Sequence, residues 1–105
     1  MQWVEDVDNL YNGYKKAFEL NDLNLLLIQY NDQVYLIEDK CGHFGVSLIA
    51  AKLDEEQDKN VIICHHHGIS FDLETGEVVN RPWETCDPIR LINYKIEKGK
   101  LYADL

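Results

Sequence analysis

Apolar residues along this chain come in short runs broken by polar pairs, with no long stripe at the 3.6-residue spacing of an amphipathic helix. The first forty residues read as β segments. Segment 14–20 ends at Asn21-Asp22, 24–30 is rich in β-compatible apolar residues, and Asn31-Asp32 supplies a tight turn into 33–38. That pattern predicts a hairpin or meander. Further on, Val61-Ile62-Ile63 is an apolar run ending at Cys64, and Glu74-Thr75-Gly76-Glu77 is turn chemistry between 69–73 and Val78-Val79, which predicts two more strands. Segments 92–96 and 101–105 flank Lys98-Gly99-Lys100, so a closing hairpin is expected. The charged run 54–60 reads as a solvated loop, and 46–53 has room for a short helical turn. The sum predicts an all-β domain of many short strands, of sandwich or barrel type.

Length and charge narrow the picture. The 105 residues suit one domain over 1–105, and 46% hydrophobic with 28% charged residues is a globular composition. A domain of this size buries only about two-thirds of the surface of its unfolded chain, so a metal centre would be a useful staple. Nineteen acidic residues against ten basic ones leave a formal charge of -9. Such a field repels nucleic acid and anionic membranes and attracts cationic protein surfaces. The most apolar stretch, 23–28, is interrupted by Asn24 and is far shorter than the roughly 20 residues of a membrane span. The N-terminus has neither the basic start nor the apolar core of a signal peptide, so the expected location is cytoplasmic. An odd cysteine count argues for metal ligation or thiols over a disulfide framework.

Six of the seven cysteine and histidine residues fall in two stretches, Cys41-Gly42-His43 and Cys64-His65-His66-His67-Gly68. Each follows a predicted strand and ends near glycine, so each can form a tight loop that presents a thiolate and an imidazole. A Cys2His2 set can hold tetrahedral zinc, or an iron–sulfur cluster in which two histidines replace two cysteines on one iron. Common zinc modules pair cysteine with cysteine inside one knuckle, whereas here each loop pairs one Cys with one His, as C-x-H and C-x-x-H. Two such loops crossed over an Fe2S2 core let both cysteines reach one iron and both histidines the other.

These two motifs, in this order, strongly resemble the Rieske family, and within it the soluble Rieske-type ferredoxins. The resemblance runs from Trp3-Val4 through Cys41-Gly42-His43-Phe44-Gly45-Val46-Ser47-Leu48 and Cys64 to His67-Gly68. It continues in Phe71-Asp72-Leu73-Glu74-Thr75-Gly76 and Arg81-Pro82-Trp83. It implies a [2Fe-2S] cluster of Rieske type with Cys41 and Cys64 on a shielded iron and His43 and His67 on a more exposed one. The implied fold is a stacked antiparallel β sandwich with a small cluster-binding subdomain, its loops at about 41–48 and 64–71. Gly42 and His65 stand where the family often has proline, and the stretch between His43 and Cys64 is longer than usual. The family's C-x-x-H-G register selects His67 from the histidine run. His65 and His66 are then solvent-facing imidazoles at the loop tip, and Cys86 is a small buried hydrophobe. Phe44, Phe71 and Trp83 are read as cover over the site.

Function follows from the charge of such a centre. Two thiolates cancel the net charge of two ferric ions and two sulfides, and neutral imidazoles add nothing. The oxidised centre is therefore neutral and the reduced one a monoanion, which raises the potential above that of all-cysteine clusters. High-potential members carry an extra cysteine pair at the positions of Val46 and His66, and hydroxyl donors at those of Ile69 and Phe71. This chain has none of them, which implies a potential near the low end of the range, about -150 mV. No separate nucleophile arrangement or phosphate-binding loop is visible, so the expectation is an electron carrier and not a catalyst. The resemblance implies the ferredoxin component of a multicomponent, aromatic-ring type oxygenase, with a flavin-dependent reductase and a terminal oxygenase as partners. The rival readings are a nitrite reductase small-subunit-like protein and a zinc-bound or redox-sensing interaction module.

Overall fold

The computed structural model describes residues 1–41, 45–65, 68–80 and 87–105. Among these described residues nine strands run in chain order as β1 (Gln2–Asp6), β2 (Tyr14–Leu20), β3 (Leu23–Tyr30), β4 (Gln33–Glu38), β5 (Lys52–Glu56), β6 (Lys59–Ile63), β7 (Ser70–Asp72), β8 (Tyr94–Glu97) and β9 (Lys100–Ala103). All pairings between them are antiparallel. They form three three-stranded sheets, β1-β9-β8, β2-β3-β4 and β5-β6-β7. Among the described residues the only helical turn is a 3-10 turn at Val7–Asn9, and no helix is long and apolar enough to cross a membrane. The all-β expectation therefore holds.

Two-residue turns join the hairpins, each with two successive positive φ angles. These are Asn21 and Asp22 (52° and 65°), Asn31 and Asp32 (51° and 64°), Gln57 and Asp58 (53° and 63°), and Lys98 and Gly99 (53° and 75°). That backbone twist matches the twist of the flanking strands, and Asn and Asp tolerate it best among side-chain-bearing residues. The first two turns carry that chemistry openly. The third does not, and the charged run 54–60, expected as a loop, is instead the facing ends of β5 and β6 with the turn at Gln57-Asp58. No helical turn forms in 46–53. Residues 49–50 make a plain turn and β5 begins at Lys52. Val78-Val79 adds only a single bridge, from Val78 to Phe71. The hydropathy pattern also left β1 unmarked, because only Val4 and Glu5 of its five residues are buried.

The sheet β2-β3-β4 is the middle layer. Leu26 and Ile28 of β3 face one core, with Tyr35, Ile37, Ile62, Phe71, Cys41 and Cys64, while Leu25 and Leu27 face the other, with Val4, Leu36, Leu101 and Ala103. All four β3 residues are fully buried, so the strand reads as an unbroken apolar run because neither of its faces meets water.

The β1 end is tied to this layer by a buried carboxylate. Glu5 Oε2 accepts a 2.6 Å hydrogen bond from Tyr14 Oη and lies 3.3 Å from Lys16 Nζ. Its Oε1 accepts from Asn9 Nδ2 and from the backbone N–H of Asp6, both at 3.0 Å. The Tyr14 hydrogen bond contributes most to holding the Glu5 carboxyl down at about 2, with Asn9 next and burial opposing. Tyr14 is pushed up to about 12, by burial and then by its bond to Glu5. A carboxylate whose pKa is depressed on folding adds stability above its unfolded value of 4.5 and loses it as pH falls toward about 2. Glu5→Gln should therefore cost roughly 1–3 kcal/mol near neutrality and less as the pH falls toward 2, read from urea unfolding across that range.

A second tie lies at the far end. Gly76, at φ 83°, gives its N–H to Asp72 O and accepts from Ile89 N–H at 2.8 Å. A Cβ there would lie 2.2 Å from Ile89 O. Gly76→Ala is expected to cost about 3 kcal/mol or more, from the left-handed backbone and the clash together, measured as a lowered denaturation midpoint.

Candidate metal centre

Two loops leave the sheets side by side. The first follows β4, where the Glu38 N–H donates to Arg90 O and the Asp39 N–H to Asn24 O. Cys41 comes next. Its N–H donates to Val46 O at 2.8 Å and its carbonyl accepts from Gly45 N–H at 2.7 Å, with Gly45 at φ 71°. The second loop follows β6. The Cys64 N–H donates to Ile69 O at 2.8 Å, Gly68 sits at φ 66°, and β7 begins at Ser70. The two closures are the same: each cysteine N–H reaches the carbonyl five residues on, past a glycine in the left-handed region. One closing bond has been used twice.

Cys41 and Cys64 are both 0% exposed and pack in one apolar cluster with Leu48, Ile62, Ile69 and Phe71. A pair of thiolates in such surroundings is costly unless cationic metal neutralises it. The two described donors therefore fit an iron–sulfur core. His43 and His67, the expected partners of these cysteines, lie outside the described residues, as do His66, Phe44, Arg81, Pro82, Trp83 and Cys86. His65 is exposed, as expected of a loop-tip imidazole. Ile69 and Phe71, where hydroxyl donors would raise a potential, are apolar and fully buried beside the cysteines.

Three side chains that spacing did not flag hold these loops. Asp39 accepts from Leu48 N–H at 2.6 Å and from Ser47 Oγ at 2.7 Å, pinning the exit of the first loop to its entrance. Asn80 accepts from Ser70 N–H at 2.8 Å and donates to Gly68 O at 2.9 Å, pinning the exit of the second. Lys15 of β2 donates to Ala51 O just past the first loop, and burial lowers its pKa. The one available signal was Asp39, a turn-forming residue two before Cys41. Nothing local marks Asn80, whose partners lie ten and twelve residues away.

Comparison with known proteins agrees with this geometry. The Rieske [2Fe-2S] domain family matches residues 1–98. The ferredoxin component of the alkene monooxygenase system of Xanthobacter autotrophicus is 28% identical over 95 residues, covering 90% of this chain and 73% of that protein. Apoptosis-inducing factor 3 of Homo sapiens is 30% identical over 97 residues, which is 92% of this chain but 15% of that protein. Among solved structures, a chain of the complex of reduced oxygenase and oxidised ferredoxin in carbazole 1,9a-dioxygenase superimposes with a TM-score of 0.80 at 25% identity, over 97% of this chain and 99% of that one. A putative small subunit of NADPH nitrite reductase superimposes with a TM-score of 0.82 at 10% identity, over 98% and 96%, a likeness of fold alone.

Proposed function

The chain belongs to the Rieske [2Fe-2S] family, and on that premise we propose that it is the ferredoxin component of a multicomponent oxygenase. In this role it takes single electrons from a flavin-dependent reductase in the cytoplasm and hands them to a terminal oxygenase. The observation that carries the reading is the end-to-end superposition on a chain of an oxygenase–ferredoxin complex, at the highest identity among the structural likenesses described above. The alkene monooxygenase ferredoxin, of which this chain covers 73%, supports it from sequence.

A bound cluster would supply a one-electron couple between a neutral and a monoanionic centre. We assign Cys41 and Cys64 to the shielded iron and His43 and His67 to the iron nearer solvent. Burial of the two cysteines in the apolar cluster excludes water from one side, so transfer is directed through the loop tips. Ile69 and Phe71 offer no hydrogen bond to a sulfur, which leaves the reduced state less stabilised and the potential low. The shared antiparallel core around β3 supports reading 1–105 as one domain, held rigid while the tips meet successive partners.

Replacing Cys41, His43, Cys64 or His67 singly should abolish or grossly alter the iron and acid-labile sulfide content and the visible spectrum. Cys86→Ser and His66→Ala should leave both unchanged. Loss of iron in His66→Ala with retention in His67→Ala would overturn the register.

The role itself is tested by stopped-flow reduction with a flavin reductase, followed by transfer to a Rieske-type oxygenase, across a salt series. The formal charge of -9 should steer encounters with a basic surface, so the second-order rate should fall as ionic strength rises. A rate that stays flat or rises would remove the acidic surface from docking. Efficient delivery to a nitrite reductase but not to an oxygenase would remove the proposed role.

A further inference from the structure

The two cysteine loops share one backbone closure, yet each is fastened by a different side chain. Asp39 stands before the first loop and reaches forward to Ser47 and Leu48 at 2.7 and 2.6 Å. Asn80 stands after the second and reaches back to Gly68 and Ser70 at 2.9 and 2.8 Å. In each case one side chain makes two bonds at the loop's exit. They fasten residues next to those whose carbonyls receive the cysteine N–H groups: Val46 O, directly before Ser47, and Ile69 O, between Gly68 and Ser70.

Asn80 uses both ends of its amide at once. Its oxygen accepts an N–H and its nitrogen donates to a carbonyl on either side of Ile69, an arrangement a carboxylate cannot reproduce because it has no donor. Asp39 uses two oxygens as acceptors, for a backbone N–H and a hydroxyl. An amide there would keep the acceptor for Leu48 N–H and meet the Ser47 hydroxyl only as a donor, exchanging charge-assisted bonds for neutral ones.

On the reading that these loops carry the Rieske cluster, we propose that Asp39 and Asn80 are a pair of positioning residues, one per loop, that set the placement of Cys41 and Cys64 and so govern cluster retention and electronic environment. Neither residue ligates metal. Each acts through the backbone carbonyl that receives the cysteine N–H.

The test uses the full-length, cluster-loaded chain and three readouts besides electron transfer: the lifetime of the visible absorbance at raised temperature in the presence of a chelator, the EPR spectrum of the dithionite-reduced protein, and the midpoint potential by protein-film voltammetry. Asn80→Ala and Asp39→Ala should each shorten the cluster lifetime by about tenfold and shift the EPR spectrum. Asn80→Asp, which keeps the acceptor and loses the donor, and Asp39→Asn, which keeps one acceptor, should fall between the alanine variants and wild type. Gln2→Ala is the control, since it removes an exposed 2.9 Å hydrogen bond to Asn21, with both residues remote from the loops in sequence. It should leave lifetime, EPR and potential at wild-type values. The proposal is overturned if the alanine variants keep the wild-type lifetime and EPR spectrum, or if Gln2→Ala reproduces their changes. Should the alanine variants not fold, the Asn80→Asp and Asp39→Asn pair carries the same comparison. Wild-type protein purified without iron and sulfide would remove the cluster reading itself, an outcome distinct from unchanged variants of a loaded protein.

Discussion

Burial of β3 on both faces is the constraint from which the rest of this molecule follows. A strand with Leu25 to Ile28 fully inside must be covered by a layer on each side, and the two other sheets of the described residues do so. One side receives the sheet formed by β1, β9 and β8, which closes the ends of the chain together. The other receives β5-β6-β7 and, with it, both cysteine loops. The metal-binding part is thus an outgrowth of one core and shares its hydrophobic free energy with the central sheet.

Placing the cysteines inside that core solves an electrostatic problem and creates a directional one. Thiolates are tolerated in an apolar wall only when metal cancels their charge, so the same burial that makes an empty site costly favours its being filled. The same burial walls Cys41 and Cys64 off from water, which on the proposed role leaves electron exchange to the opposite side of the centre. The formal charge of -9 adds a field that acts over about a Debye length.

Elsewhere the fold relies on a few satisfied polar ties. Glu5 joins β1 to β2, and a chain of bonds from Asn31 through Asn60 and Tyr35 to Glu74 joins the β3–β4 turn to β6 and the segment after β7. Each buried polar atom in these ties has its partners, so they specify one arrangement of layers that non-directional apolar packing alone would leave open.

The middle sheet was legible residue by residue, since Asn21-Asp22 and Asn31-Asp32 are local turn chemistry and the apolar run between them is local too. The family was legible for a similar reason: C-x-H and C-x-x-H are short-range spacings that can be read along the chain. What escaped was decided by contacts far apart along the chain. β5 is an acidic segment, Lys52-Leu53-Asp54-Glu55-Glu56, that becomes a strand only because β6 lies beside it and buries Val61 and Ile62. β1 exists because β9, nearly a hundred residues away, supplies its hydrogen bonds. Asn80 carries no signal of its role and Asp39 only that of a turn former, because a side-chain hydrogen bond has meaning only once its partner has been brought within 3 Å. Composition and spacing thus determined the fold class and the chemistry, which rest on local propensity and ligand type. Tertiary structure alone decided which strands pair, which faces are buried and what fastens the loops, because those depend on free energy gained only when distant segments meet.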